Sequence, residues 1–73
     1  SYAYDRKAQQ LLEIVRDYHG YPHSDADALY GYMIGQGRCD NGRYSYDDGV
    51  EMMRRAYRQH DARAAKLLRK CGL

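Results

Sequence analysis

Apolar residues in the first quarter of the chain recur every three or four positions, the period of one helix face. This spacing predicts a first helix over residues 4–19 that buries an apolar stripe. Gly20 is typical of the position just past a helix end, and Pro22 prevents the helix from continuing. The stripe consists of Tyr4, Ala8, Leu11, Val15 and Tyr18, broadened by Leu12 and Ile14.

The middle of the chain predicts two more helices separated by a loop. Ser24, with Asp27 three residues later, resembles a capping box and predicts a second helix over residues 24–35. Glycines and polar residues between 35 and 42 mark the longest loop. Ser45 is a favourable N-cap, so we expect a third helix over residues 46–59.

The boundary between the third helix and a fourth, over residues 61–71, is ambiguous from periodicity. Apolar spacing of three and four runs without interruption from Val50 to Cys71, which would also suit one long helix. Asp61, however, can act as an N-cap, and a helix of about 26 residues is uncommon in a small domain.

An internal repeat favours the four-helix interpretation. Residues 8–19 align with residues 49–60 at an offset of 41, and residues 24–30 align with residues 62–68 at an offset of 38. The difference of three matches the extra Gly20-Tyr21-Pro22 of the first linker. We therefore predict a single all-α domain in which two helix pairs stack as repeat units.

The residues from Tyr46 to Leu68 resemble the core of a Sel-one-like repeat, one of the tetratricopeptide-like helical repeats. Met52-Met53 stands for the bulky pair of that pattern, Ala56 for its first alanine, and Ala62-x-Ala64 for the start of the next helix. In the earlier unit, Tyr30-Gly31 takes the place of the Leu-Gly pair. The resemblance implies a stacked helical fold and leaves the function undetermined.

The chain departs from this pattern at several positions. Tyr57 replaces the second alanine, His60 stands where glycine is usual, and Cys39 replaces a glycine in a longer turn. Arg69 replaces the glycine of the last Leu-Gly pair, which would suit a terminal unit that faces water.

The resemblance also implies where a partner would bind. Such repeats present a concave surface lined by the first helix of each family unit, which corresponds here to the second and fourth helices. The expected contacts are Tyr32, Arg63 and Lys66, with Arg54, Arg55 and Arg58 as an electrostatic rim.

Charge is distributed unevenly along the 73 residues. Residues 1–48 carry five Lys/Arg and eight Asp/Glu, whereas residues 49–73 carry seven and two, so the excess changes from −3 to +5. Such asymmetry favours an acidic protein partner or association between copies, including a homodimer, although a solvated helix face would look the same. With tyrosines nearby, the basic helices also leave open a nucleic-acid-associated regulatory role.

The two cysteines suggest a disulfide. Stacked repeats would bring Cys39 and Cys71 together at equivalent helix ends, closing a loop of about 33 residues and contributing roughly 3–4 kcal/mol. This bridge would imply a periplasmic or secreted protein. The alternative is two reduced thiols in a cytoplasmic protein.

Catalytic, metal and membrane signals are weak. His19 and His23 have a spacing seen at zinc sites, but Gly20 and Pro22 break the helix between them. No nucleophile elbow, phosphate loop or segment of about 18 apolar residues is present. We therefore expect a non-enzymatic protein-interaction module, such as an adaptor or an immunity or inhibitor partner, with no cofactor, no metal and no membrane span.

Overall fold

The computed structural model describes residues 2–18, 23–39 and 42–73, and these ranges contain four helices and no strand. The all-α prediction is therefore confirmed. Gly20, Pro22 and His19, on which the first linker and the histidine pair were predicted, lie outside the described residues. The helices are α1 (Tyr2–Tyr18), α2 (Ser24–Gly35), α3 (Tyr46–Arg58) and α4 (Ala62–Lys70).

Two of the three predicted N-terminal caps are confirmed. The Ser45 hydroxyl accepts from the Asp48 amide at 3.2 Å, and the Asp48 carboxylate accepts from the Ser45 amide at 2.8 Å, which forms a capping box. Asp61 accepts from the amides of Arg63 and Ala64 at 2.9 and 3.1 Å and so begins α4. The break between α3 and α4 is real, and one long helix does not form.

The predicted cap of α2 is wrong. His23 is the N-cap residue and makes no side-chain capping bond, while Ser24 is already helical. The Ser24 hydroxyl instead donates to the Asp61 carboxylate at 3.0 Å, across to the start of α4. Asp27 is buried and bonded to arginines of other helices, because long-range partners outcompete the local cap.

Helix α2 lies at the centre of the fold. The larger core cluster joins α2 to α3 and α4, and a second cluster of Tyr30, Ile34 and Met52 joins α2 to α3. The backbones of α2 and α3 come closest at Gly31 and Gly49, where a Cβ added to Gly49 would lie 2.7 Å from the Gly31 carbonyl oxygen. The larger cluster consists of Ala28, Val50, Met53, Ala56, Ala64, Leu67 and Leu68.

Helix α1 packs with only part of the predicted face: Ala8, Leu12 and Val15 are partly buried. Tyr4, Leu11 and Ile14 remain 78%, 57% and 58% exposed, whereas Gln9 is buried and Leu12 packs against the second cluster. The Tyr18 side chain lies outside the described part. Three polar side chains of α1, Asp5, Glu13 and Arg16, bond to residues of the rest of the molecule, while part of its apolar stripe faces outward.

The predicted disulfide is not formed. Both cysteines lie in the described part of the chain, and neither takes part in a disulfide. The reason is their packing: Cys39 lies against the Tyr30 cluster, whereas Cys71 lies against the larger cluster around α4. The two helix ends therefore belong to different parts of the core.

A basic cleft as candidate functional site

A cleft of about 420 Å³ opens between α3 and α4 on the outward side of the larger core cluster. Helix α3 contributes Arg54, Tyr57 and Arg58, which are one helical turn apart and therefore share a face. Ala65, Leu68 and Arg69 of α4, with Leu73 just beyond it, line the other side. We refer to these seven residues as the α3–α4 cleft.

The chemistry of the α3–α4 cleft is an apolar floor with a cationic rim. Leu68 is buried at its base, while Tyr57 and Leu73 are 55% and 51% exposed. Arg58 pairs with Glu51 at 2.6 Å, and this hydrogen bond lowers the pKa of Glu51. No carboxylate among the described residues forms an ion pair with Arg54 or Arg69. The cleft therefore carries cationic side chains that are available to an acidic ligand.

The six residues predicted for partner binding occupy different environments. Arg54 and Arg58 line the cleft. Tyr32 is half-buried and packs against the larger core cluster, and Arg55 is held by Asp27 through bonds of 2.9 and 2.7 Å. Arg63 and Lys66 are exposed on α4 but do not line the cleft. Of the six, only Arg54 and Arg58 line the cleft.

Sequence reasoning missed Tyr57, Arg69 and Leu73 as members of this surface. The spacing of Arg54, Tyr57 and Arg58 already places them on one helix face, and this signal could have found Tyr57. Arg69 and Leu73 face the cleft because of the way α4 crosses α3. A local sequence pattern carries no information on that crossing.

Asp27 is the centre of a second polar cluster, which ties three helices together. Its carboxylate, 4% exposed, accepts from Arg16 of α1 at 3.0 Å and from Arg55 of α3 at 2.7 Å. The Arg16 guanidinium also lies 5.0 Å from the centre of the Tyr30 ring and 5.7 Å from that of Tyr44. Burial lowers the pKa of Arg16, but the hydrogen bonds that Arg16 donates to Tyr44 and Asp27 outweigh it and leave that pKa raised. The donors and acceptors of this cluster satisfy one another, which indicates a structural role.

A third cluster lies where α2 and α4 begin. Asp25 and Asp61 share a hydrogen bond that raises the pKa of Asp25 and lowers the pKa of Asp61. The Ser24 hydroxyl and the amides of Arg63 and Ala64 also favour the charged form of Asp61. Since these bonds cap α4, Asp61 is occupied in holding the fold.

The described residues contain no group of three or more His, Cys, Asp and Glu side chains that could hold a metal ion. None of the helices in this part of the chain combines the length and the apolar character that a membrane crossing requires. Comparison of the chain with protein-family models, with curated proteins and with solved structures returns no match.

Proposed function

We propose that this chain is a non-enzymatic protein-interaction module whose α3–α4 cleft binds an acidic segment of another protein. The observation that carries the proposal is the combination of an apolar floor with Arg54, Arg58 and Arg69 around it. Tyrosine and arginine are the side chains that most often dominate binding energy at protein interfaces. An adaptor, or an immunity or inhibitor partner, is a member of this class of function.

The alternative, binding to nucleic acid, fits the distribution of charge less well. A protein that follows a phosphate backbone needs a continuous cationic track. Here two basic side chains of α3, Arg55 and Arg58, are already paired with Asp27 and Glu51. The apolar floor of the cleft also fits the side chains of a protein segment better than a phosphate backbone.

Fluorescence anisotropy with two labelled probes tests the proposal. One probe is an amphipathic helical peptide with leucines on one face and glutamates on the other. The second probe is a single-stranded oligonucleotide. We expect the peptide to bind the wild-type protein, and the double variant Arg54→Ala/Arg69→Ala to weaken that binding about tenfold, or ~1.4 kcal/mol. The matched control Arg63→Ala/Lys66→Ala removes the same charge from outside the cleft and should change the affinity far less.

Equal losses from the two double variants would mean that only net charge attracts the peptide, and the cleft would be rejected as the site. Tighter binding of the oligonucleotide, weakened equally by both double variants, would instead establish the nucleic-acid alternative. Circular dichroism of each variant verifies that the helices remain folded.

A further inference from the structure

In the part of the chain that the structure describes, two apolar surfaces are exposed to solvent, one on α1 and the other between α3 and α4. One is the α3–α4 cleft. The other is the outward face of α1, where Tyr4, Leu11 and Ile14 are each more than half exposed. Large exposed apolar side chains grouped on one face are typical of interaction surfaces.

The internal repeat relates these surfaces to a contact that already exists within the molecule. The offset of 41 aligns α1 with α3, and the offset of 38 aligns α4 with α2. Helices α2 and α3 pack against each other at the Gly31–Gly49 approach. By this alignment, the counterpart of the packed pair of α2 and α3 is a pair formed by α4 and the α1 of a further repeat.

Individual positions follow this correspondence. Asp27 and Gly31 of α2 are buried beneath α3, whereas their aligned residues, Ala65 and Arg69, line the open cleft. On the other side, Met52 of α3 is buried, whereas its aligned residue Leu11 is exposed. Each uncovered surface therefore corresponds to one that is covered in the α2–α3 pair.

We propose that a second copy of the chain places its α1 in the α3–α4 cleft, so that molecules associate head to tail. The inference rests on the proposed function in taking the cleft as a protein-binding surface, and its occupant is α1 of another copy, which carries three acidic and three basic residues. Inside the molecule, Asp27 pairs with Arg55. The aligned residues in the contact between copies are Ala65 and Ile14, an apolar pair that needs no counterion, so the apolar match and not charge selects this occupant.

The contact differs from the α2–α3 pair in its closeness. Arg69 and Ala8 stand where Gly31 and Gly49 allow the two backbones to touch, so the helices cannot approach as closely. Association between copies is therefore weaker than the packing of α2 on α3. Because the contact joins two different surfaces, copies add one after another, into open chains or, where the rotation between copies permits, into rings.

Sedimentation equilibrium from micromolar to millimolar protein tests the proposal. The average mass of the wild-type protein should keep rising with concentration and pass that of a dimer. Ile14→Glu on α1 and Ala65→Glu in the cleft should each reduce the association constant at least tenfold, or about 1.4 kcal/mol. Gln36→Glu adds the same charge at an exposed position outside both surfaces and should leave association unchanged.

A mixture of the two variants distinguishes head-to-tail association from other ways in which two copies could bind each other. Ile14→Glu keeps an intact cleft and Ala65→Glu keeps an intact α1, so an equimolar mixture should form a dimer and stop there. If Ala65→Glu fails to fold by circular dichroism, Tyr57→Glu replaces it, because Tyr57 is exposed at the cleft.

Two results would overturn the inference: a wild-type protein that stays monomeric at millimolar concentration, or a mixture that forms no dimer. If the acidic peptide still binds the cleft in that case, the proposed function survives without self-association. If instead the chain associates as described but the peptide neither binds nor competes, the proposed function fails and this inference stands.

Discussion

His60 ends α3 in the left-handed region, with a φ of 65°, a conformation that glycine adopts at lower cost. Its amide donates to the Tyr57 carbonyl at 2.9 Å and the Asp61 amide to the Ala56 carbonyl at 3.1 Å, which makes a Schellman motif. Glycine occupies the same position after α2 and α4, at Gly37 and Gly72, with φ of 71° and 77°. Only after α3 does a residue with a Cβ occupy this position among the described helix ends.

The substitution His60→Gly should therefore stabilise the protein by about 0.5–1 kcal/mol, because it removes the steric cost of the left-handed backbone. In a domain of this size the melting temperature should rise by a few degrees. Thermal unfolding followed by circular dichroism measures it. The reverse change, Gly72→Ala, should lower the melting temperature, and a fall with His60→Gly would refute the account.

Single residues were predictable where their partners are local. Ser45 and Asp61 bond amides two or three residues away, so their sequence neighbours identify them as caps. Asp27 was misassigned as part of a cap because its arginine partners lie 11 and 28 residues away. Nothing in the sequence near Asp27 indicates that three helices meet there.

At the scale of helices, the approach of α2 to α3 decides the architecture. A Cβ at Gly31 would clash with the Gly49 carbonyl oxygen and lie 2.9 Å from the Met52 Cβ. Backbone atoms and a Cβ cannot move aside as the end of a flexible side chain can. Gly31→Ala should therefore destabilise the protein by about 2 kcal/mol or more, even though alanine favours helix.

Gly35 provides the matched control on the same helix. A Cβ there would meet its nearest neighbour, the Tyr46 ring, at 3.8 Å, which is an ordinary contact. Gly35→Ala should leave stability unchanged or raise it by up to about 1 kcal/mol. Urea unfolding of both variants measures the difference, and equal effects would show that the approach is not tight.

The N-termini of α2 and α4 should respond to pH through Asp25 and Asp61. Since the pKa of Asp25 is raised in the folded state, its charged form opposes folding. Asp25→Asn should therefore raise the melting temperature at pH 7, and the gain should disappear as the pH falls below the ordinary value of 3.8.

Asp61 gives the opposite sign. Its pKa is lowered, so its charge stabilises the fold above the ordinary value of 3.8, and this contribution is lost as the pH falls through the folded value. Asp61→Asn should lower the melting temperature at pH 7, with a smaller effect in acid. Melting curves of both variants between pH 2 and pH 8 test the pair; shifts of the same sign would contradict it.

The positions of the helices could be predicted from periodicity and breaks, but the orientation of α1 could not. Its apolar stripe is clear in the sequence, yet Leu11 and Ile14 face outward while Gln9 is buried. Periodicity identifies an apolar face without naming what covers it. Contacts to Arg38 and Tyr30 from Asp5 and Glu13 set the rotation of the helix instead.

At the scale of the whole molecule, the two helices that line the candidate site could be predicted only as basic segments. Arg54 and Arg58 were expected near a partner, and they do line the cleft. Arg63 and Lys66 do not line the cleft because of the way α4 crosses α3. Arg55 is turned away from a partner because it pairs with the buried carboxylate of Asp27. Both are tertiary facts that no window of sequence contains.

The contacts between the helices predict that α1 is the least stable part of the molecule. Among the described residues, polar contacts such as Arg16–Asp27, Asp5–Arg38 and Glu13–Tyr30 hold it, with Leu12 packed against the smaller core cluster. Seven buried residues, in contrast, unite α2, α3 and α4. Local unfolding costs least where few apolar contacts are lost. Amides of α1 should therefore exchange with solvent deuterium faster than those of α2 and α3.

Hydrogen exchange followed by mass spectrometry measures this difference. At 1 M salt the Debye length falls to about 3 Å, so the exposed Asp5–Arg38 pair weakens and α1 should exchange faster still. The Ile14→Glu variant removes protection that a second copy would give to α1. Protection of α1 equal to that of α2 in this variant would show that its polar contacts hold it as firmly as the core.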